Sequence, residues 1–223
     1  MTVPTKGTLP GEIVRAISRQ EMADLPIGRY EGDVCLVRTT QDLEHAVEDF
    51  RQEQFVGFDT ETRPSFRAGD RHLPCLIQAA TARAVYLFRL QKESDFQVPA
   101  ELVAEPGILK VGIGLADDIR ALKLLHPFEE RSTLDLGAVA RDYGLRQTGV
   151  RNLAGIFMKI RIPKGIKTSN WAAPKLSAAQ IRYAATDAWI CRELFLQFRN
   201  LGMIPDNRSR LTSAAAIRFI DRI

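Results

Sequence analysis

Apolar residues recur with period two in some short runs of the chain and at helical spacing in others, and the order of these runs predicts an α/β architecture. "DVCLVR", residues 33–38, reads as a strand, "TQDLEHAVEDFRQ" as an amphipathic helix, and residues 54–60, at the start of "QFVGFDTET", as a second strand. "CLIQAA" and "AVYLF", separated only by "TAR", suit a hairpin, so strand follows strand and the predicted sheet is mixed. "ILKVGI" then predicts a strand and "LADDIRALKLL" a helix, followed by a helix-rich second half with little further strand character. The last long helix carries its own start signal in "KLSAAQIRYAATDAWICRELFLQF". Ser177 and Gln180 form an S-x-x-Q capping box, with Leu176 and Ile181 placed for a hydrophobic staple. Ahead of all this, residues 1–30 read as a loose arm with one amphipathic helix on Ile13, Val14 and Ile17, ended by Pro26. The predicted organisation is an arm (1–30), one domain (31–205) and a C-terminal basic tail or helix (206–223), which could pack on the domain or on another subunit as a homo-oligomer.

Composition narrows this little. The 223 residues are 45% hydrophobic and 26% charged, ordinary for a soluble domain. The net charge of +4 mildly favours anionic partners. Cys35, Cys75 and Cys191 are too scattered for a disulfide framework or a zinc site and read as reduced thiols. His45, His72 and His126 are isolated, and none is assigned to a metal. With no long apolar run and charged residues from Glu12 onward, no membrane association and a cytoplasmic location are expected.

The chemistry lies in carboxylates on apolar faces. Alternation along "FVGFDTET" turns Asp59 and Glu61 to the same side of a strand whose other residues are core-forming. In the capped helix, Tyr183 and Asp187 are i and i+4 and share a face with Ile190, Cys191 and Leu194. "GLADDIRAL" offers Asp117 and Asp118 at a helix start. Asp118 shares the face of Ala121, Leu122 and Leu125 and is taken as the inward one, although Leu124 gives the neighbouring face apolar character too. A buried carboxylate is costly unless paired, hydrogen-bonded or metal-bound. Any one of these acids alone would ordinarily be a solvated side chain or a helix cap. Four acids from a strand and two helices, with no matching His or Cys cluster, suit hard cations such as Mg²⁺ or Mn²⁺. Two such ions about 4 Å apart support phosphoryl transfer.

"FDTET", "KVGIGLADDIRALK" and "LSAAQIRYAATDA" resemble, in order, the three motifs of the DEDD 3′-5′ exonucleases, specifically the ribonuclease D and Werner exonuclease-like group. "PCLIQAA" and "TSNWAAPKLS" are also similar to family stretches. The resemblance implies a ribonuclease H-like fold, a central mixed β-sheet flanked by helices. It also implies a two-metal site on Asp59, Glu61, Asp118 and Asp187, releasing nucleoside 5′-monophosphates from a free 3′ end of single-stranded RNA or DNA. By the same resemblance Asp59 bridges both ions, Glu61 and Asp187 hold the water-activating ion, Asp118 helps hold the second, and Tyr183 orients the water. The histidine of the other subgroup would fall at Arg182, so the chain resembles the tyrosine subgroup.

Substrate contacts are expected in the loop after the first motif, at Phe66 and His72, and in "IPKGIKTSNW", at Lys164 and Lys167. These two lysines belong to a basic run with Arg141, Arg146, Arg151, Lys159 and Arg161. Two competing readings use the same residues: a nucleic-acid-binding module without catalysis, and a small-molecule phosphohydrolase.

Overall fold

The computed structural model describes residues 9, 13–65, 72–163 and 169–205. A six-stranded sheet runs through the molecule in the order β1 (Asp33–Val37), β4 (Ala84–Arg89), β3 (Pro74–Ala80), β2 (Phe55–Thr62), β5 (Leu109–Gly112), β6 (Thr133–Asp135). β3 is antiparallel to both β2 and β4, whereas β1 pairs with β4, β5 with β2 and β6 with β5 in parallel. The sheet is therefore mixed, and β3 and β4 form the predicted hairpin, closed by Thr81, whose N–H donates to Ala84 O at 2.9 Å.

Each face of the sheet buries its own core. One face packs Val56, Phe58, Ile77 and Phe88 against α2 (Thr40–Arg51), α3 (Gln97–Ala104) and α4 (Leu115–Leu125). The other packs Phe55, Leu76, Val85, Leu87 and Val111 against the long helix α7 (Ala178–Asn200), with α5 (Leu136–Asp142) and α6 (Val150–Leu153) beside it. The capping box of α7 forms as its sequence predicts: the Ser177 N–H donates to Gln180 Oε1 at 2.9 Å and Ser177 Oγ accepts from the Gln180 N–H at 3.2 Å. The Gln180 amide also donates to Ser169 Oγ and to Asn170 O, both at 3.1 Å, and so holds the preceding loop to the helix. Trp171 in that loop is fully buried.

α7 lies close on β2 because the strand has no side chain where they cross. A Cβ on Gly57 would be driven into Ala188 O and would fall 2.8 Å from Arg192 N, both backbone atoms of the helix. The absence of a methyl group there sets the depth at which the helix presents Asp187.

Four expectations change. The arm helix, α1, spans Arg19–Asp24 and does not include Ile13, Val14 or Ile17, because Ser18 and Glu21 form a capping box that starts it later. Ile13 and Ile17 instead pack onto the core from irregular chain. The described part of the arm is not loose: the Ile17 N–H donates to Gln147 Oε1 at 3.0 Å, the Arg161 N–H to Pro26 O at 2.9 Å, and the Tyr30 N–H to Thr186 Oγ1 at 3.0 Å. The second half also supplies β6, too short at Thr133–Asp135 to show a period. The helix α3 was not anticipated; it follows a 3₁₀ turn at Glu93–Phe96 and carries Pro99 within its first turn, where a missing N–H costs least. Residues 206–223 lie outside the described residues. Among those described, no helix is long and apolar enough to cross a membrane.

Replacing Gly57 with Ala pushes α7 away from β2. The expected loss is roughly 1–3 kcal/mol, as for overpacked cores, read as a lower urea midpoint. Unchanged stability would show that the helix yields freely.

Candidate active site

The end of β2 carries the first two acids. Strand alternation places Asp59 and Glu61 on the face covered by α7 and sends Thr60 to the other. Asp187 reaches them from α7, one turn beyond Tyr183, and both of these helix residues are buried. Carboxylate oxygens of Asp59, Glu61 and Asp187 all lie within 4.8 Å of one another. The Tyr183 hydroxyl lies close enough to Asp187 to feel its carboxylate, and the Tyr183 ring stands 6.1 Å from Trp171.

Asp118 arrives from the opposite layer. Its helix, α4, packs on the Phe58 face, and its Oδ1 accepts from Thr60 Oγ1 at 2.6 Å. It stands outside the trio of mutually close carboxylates, yet its charge is felt by Asp59. Asp117 points away: its side chain is 86% exposed and pairs with Arg120 at 2.7 Å. The helix-face reading that turned Asp118 inward thus agrees with the geometry. The α4 start is held by Asp135. Its Oδ2 accepts the Gly114 N–H at 3.1 Å, while its Oδ1 caps α5 through the Gly137 and Ala138 N–H groups. Gly114 occupies the left-handed region at φ 80°, which favours glycine.

The electrostatics follow from crowding acids at a buried strand end. Burial pushes Asp59 well above the ordinary carboxylate range, and the charges of Asp187, Asp118 and Glu61 push it further. Burial likewise raises Asp118 to about 6, against the opposing effect of its Thr60 bond and with additional upward pressure from Asp117 and Asp135. Tyr183 is raised by burial and then by the Asp187 and Glu61 charges, so its hydroxyl keeps its proton throughout the physiological range. Cys191, one turn beyond Asp187 and buried, is raised by burial and by the same acids, which makes it an unreactive thiol beneath the site.

Oxygen-only donors, mutual proximity and carboxylates held at a cost in repulsion together fit a hard divalent cation. No His or Cys joins the group among the described residues.

Of the expected substrate contacts, Phe66, Lys164 and Lys167 lie outside the described residues. His72 is half-buried just ahead of β3. The basic run is not one free surface: Arg151 Nε donates to Ile162 O at 3.0 Å and Arg161 Nε to Leu25 O at 2.9 Å, so both guanidiniums fasten backbone. Sequence reasoning overlooked Thr60 and Asp135, which hold Asp118 and its helix. Asp135 had a readable signal, an Asp immediately before an apolar helical run; Thr60 had none.

A family model described as 3′-5′ exonuclease matches residues 34–202. Ribonuclease D of Gluconacetobacter diazotrophicus is 31% identical over 167 residues, covering 73% of this chain and 42% of that protein. The EXO domain of Aedes aegypti Nibbler has a similar fold, with a TM-score of 0.68 at 23% identity, covering 78% of this chain and 92% of that one. So has Trypanosoma brucei ribonuclease D, solved in complex with the RNA U12, with a TM-score of 0.65 at 19% identity, covering 79% and 64% of the two chains. The chain spans less than half the length of the first curated relatives it matches.

The raised carboxylates fix a sign. A folded state that binds more protons than the unfolded one loses stability as pH rises from about 4 to about 6, the interval between the ordinary value and that of Asp118. In chelator, Asp118→Asn should match the wild-type Tm near pH 4 and exceed it by a few degrees at pH 7, with Mg²⁺ narrowing the gap. A gap independent of pH would exclude the charge as its cause.

Proposed function

The chain belongs to the 3′-5′ exonuclease family, and from that membership we propose that it removes nucleotides from the 3′ end of single-stranded RNA or DNA, releasing nucleoside 5′-monophosphates. The exonuclease domain in this proposal runs from 31 to 205. What supports it most directly is the set of Asp59, Glu61 and Asp187, brought within 4.8 Å of one another beside a protonated tyrosine.

Asp59, Glu61, Asp187 and Asp118 are the residues that would hold two divalent ions, Mg²⁺ or Mn²⁺. Such ions, when bound, lower the pKa of the attacking water and offset the charge that develops on the phosphoryl oxygens. The protein's own part is positional. Asp59 faces both its neighbour Glu61 and the incoming Asp187, so it is the acid best placed to be shared. Asp118, held by Thr60 outside the close trio, would complete the set. Tyr183 acts as a hydrogen-bond donor that orients the water and does not accept its proton, since burial and neighbouring charge keep the phenol neutral. The walls of the site, built from β2, α4 and α7, keep these groups from relaxing apart when the charge is partly neutralised.

RNA is the first substrate to try, because the trypanosomal structural neighbour holds an RNA strand. With 5′-labelled RNA and DNA oligonucleotides and Mg²⁺ or Mn²⁺, the expected product is a ladder shortening from the 3′ end. Asp59→Asn and Asp187→Asn should abolish it, Asp117→Asn should spare it, and Asp118→Asn should lower it strongly. Tyr183→Phe should reduce kcat by about 10²-fold with KM little changed, within the usual range for a proton-positioning group. Cleavage that persists in Asp59→Asn and Asp187→Asn would remove these residues from the chemistry. Cleavage of free nucleotides or small phosphodiesters with intact oligonucleotides would favour the small-molecule phosphohydrolase instead.

A further inference from the structure

Buried polar side chains normally have hydrogen-bond partners, and β3 carries an exception. Gln78 is fully buried, at 0% exposure. Neither its Nε2 nor its Oε1 meets a hydrogen-bond partner among the described residues. An amide with both ends unmet destabilises the fold, and an apolar side chain of the same size would serve the core better. The position of Gln78 therefore calls for a reason other than packing.

The strand register supplies one. Gln78 stands directly opposite Asp59 in the antiparallel pairing of β2 with β3, and opposite Leu87 in that of β3 with β4. Alternation puts it on the face of Leu76 and Ala80, which is the face covered by α7 and the one to which Asp59 turns. Directly opposed residues have Cβ atoms roughly 4.5–5.5 Å apart. A side chain as long as glutamine spans that gap to the Asp59 carboxylate by torsion alone. Its other neighbours in the sheet on this face, Leu76, Ala80 and Leu87, are apolar. The Cys191 thiol, buried on α7 beneath the same acids, is at best a weak partner.

We propose that Gln78 is a positioning residue for the ion site: its Nε2–H donates to the Asp59 carboxylate when that carboxylate holds a divalent ion, and so fixes the plane of the acid that faces both Glu61 and Asp187. The assignment rests on the metal-site part of the exonuclease proposal and adds the group that orients its central acid. The choice of side chain follows from charge. A Lys or Arg opposite Asp59 would neutralise the acid and repel the cation, whereas an amide donates a hydrogen bond without adding charge. An ionised carboxylate accepts at about four lone-pair sites, so an oxygen engaged with an ion keeps a site for the amide.

Gln78→Met keeps the length of the side chain and most of its volume while removing donor and acceptor. Calorimetric titration of the full chain with Mn²⁺ alone, paired with thermal melts in chelator, separates the two roles the amide can have. In chelator the variant should melt with wild type or a few degrees above it, and its Mn²⁺ affinity should be weaker by roughly 10- to 100-fold, the usual loss for a group that orients a metal ligand. In wild type, the NMR signal of the Gln78 side-chain amide, identified by its absence from the variant, should shift and gain protection from exchange on adding Mg²⁺. Equal Mn²⁺ affinity in wild type and a folded Gln78→Met protein would overturn the proposal. So would an amide signal that Mg²⁺ leaves unchanged, or a Tm several degrees lower in chelator with Mn²⁺ affinity retained, since the amide would then serve the fold alone. Should Gln78→Met fail to fold, Gln78→Leu replaces it in the same measurements, and failure of both would overturn the proposal on the same ground. Weakened Mn²⁺ binding in the variant, with no oligonucleotide shortened by wild type, would count against the exonuclease proposal and leave the role of Gln78 standing. Normal shortening by wild type with equal Mn²⁺ affinities would do the reverse.

Discussion

The close crossing of α7 over β2 at Gly57 is the constraint on which the site depends. Helix and sheet normally keep a side-chain layer between them, but here the backbone of Ala188 and Arg192 occupies the space a Cβ would need. Asp187 precedes that crossing by one residue, and Asp59 lies two beyond Gly57 along the strand. Both carboxylates are therefore placed by a contact between backbones, which has little freedom to relax. Phe55 and Phe195, with ring centroids 4.5 Å apart, and the Arg192 guanidinium, 4.8 Å from the Phe55 ring, secure the same crossing on its far side.

Such rigidity has an electrostatic cost. In a flexible site the acids would turn to solvent, but strand alternation, the α7 capping box and the Gly57 crossing hold them together. Burial first, and repulsion after it, are expressed as raised proton affinity in Asp59 and Asp118, the response expected when charge is dehydrated and crowded. A cation can compete for that affinity, and the same crowding that destabilises the metal-free fold raises the electrostatic attraction for an ion. Stability and site are opposed here in the usual way for preorganised sites.

How much of this was legible in the sequence depended on whether position followed from a local period. Alternation sufficed for Asp59 and Glu61, and the Ser177–Gln180 box set the α7 register for Tyr183 and Asp187. Helical spacing alone distinguished Asp118 from Asp117. What a local pattern could not supply was contact between distant segments. Nothing near Ile17 announces Gln147 as its partner, nothing near Thr60 announces Asp118, and three residues of β6 are too few for a period. The start of α1 was misplaced for a different reason: apolar spacing at Ile13 and Ile17 mimics a helix, while the true signal, Ser18 with Glu21, lies downstream.

Asp118 shows why the acids need both layers of the fold. Asp59, Glu61 and Asp187 belong to the face covered by α7, whereas Asp118 starts a helix on the other face and reaches the strand end through Thr60, the residue between the two β2 acids. Its position is referred to β2 by that bond and to β6 by Asp135, which holds Gly114 and caps α5 at once. The loop leading into α4 is thus tied to the sheet on both sides of β5. A shift of α4 alone would strain Gly114 before it moved Asp118 far, since the glycine sits at a φ few other residues adopt. The fourth acid is consequently as well located as the trio, though by hydrogen bonds in place of backbone contact.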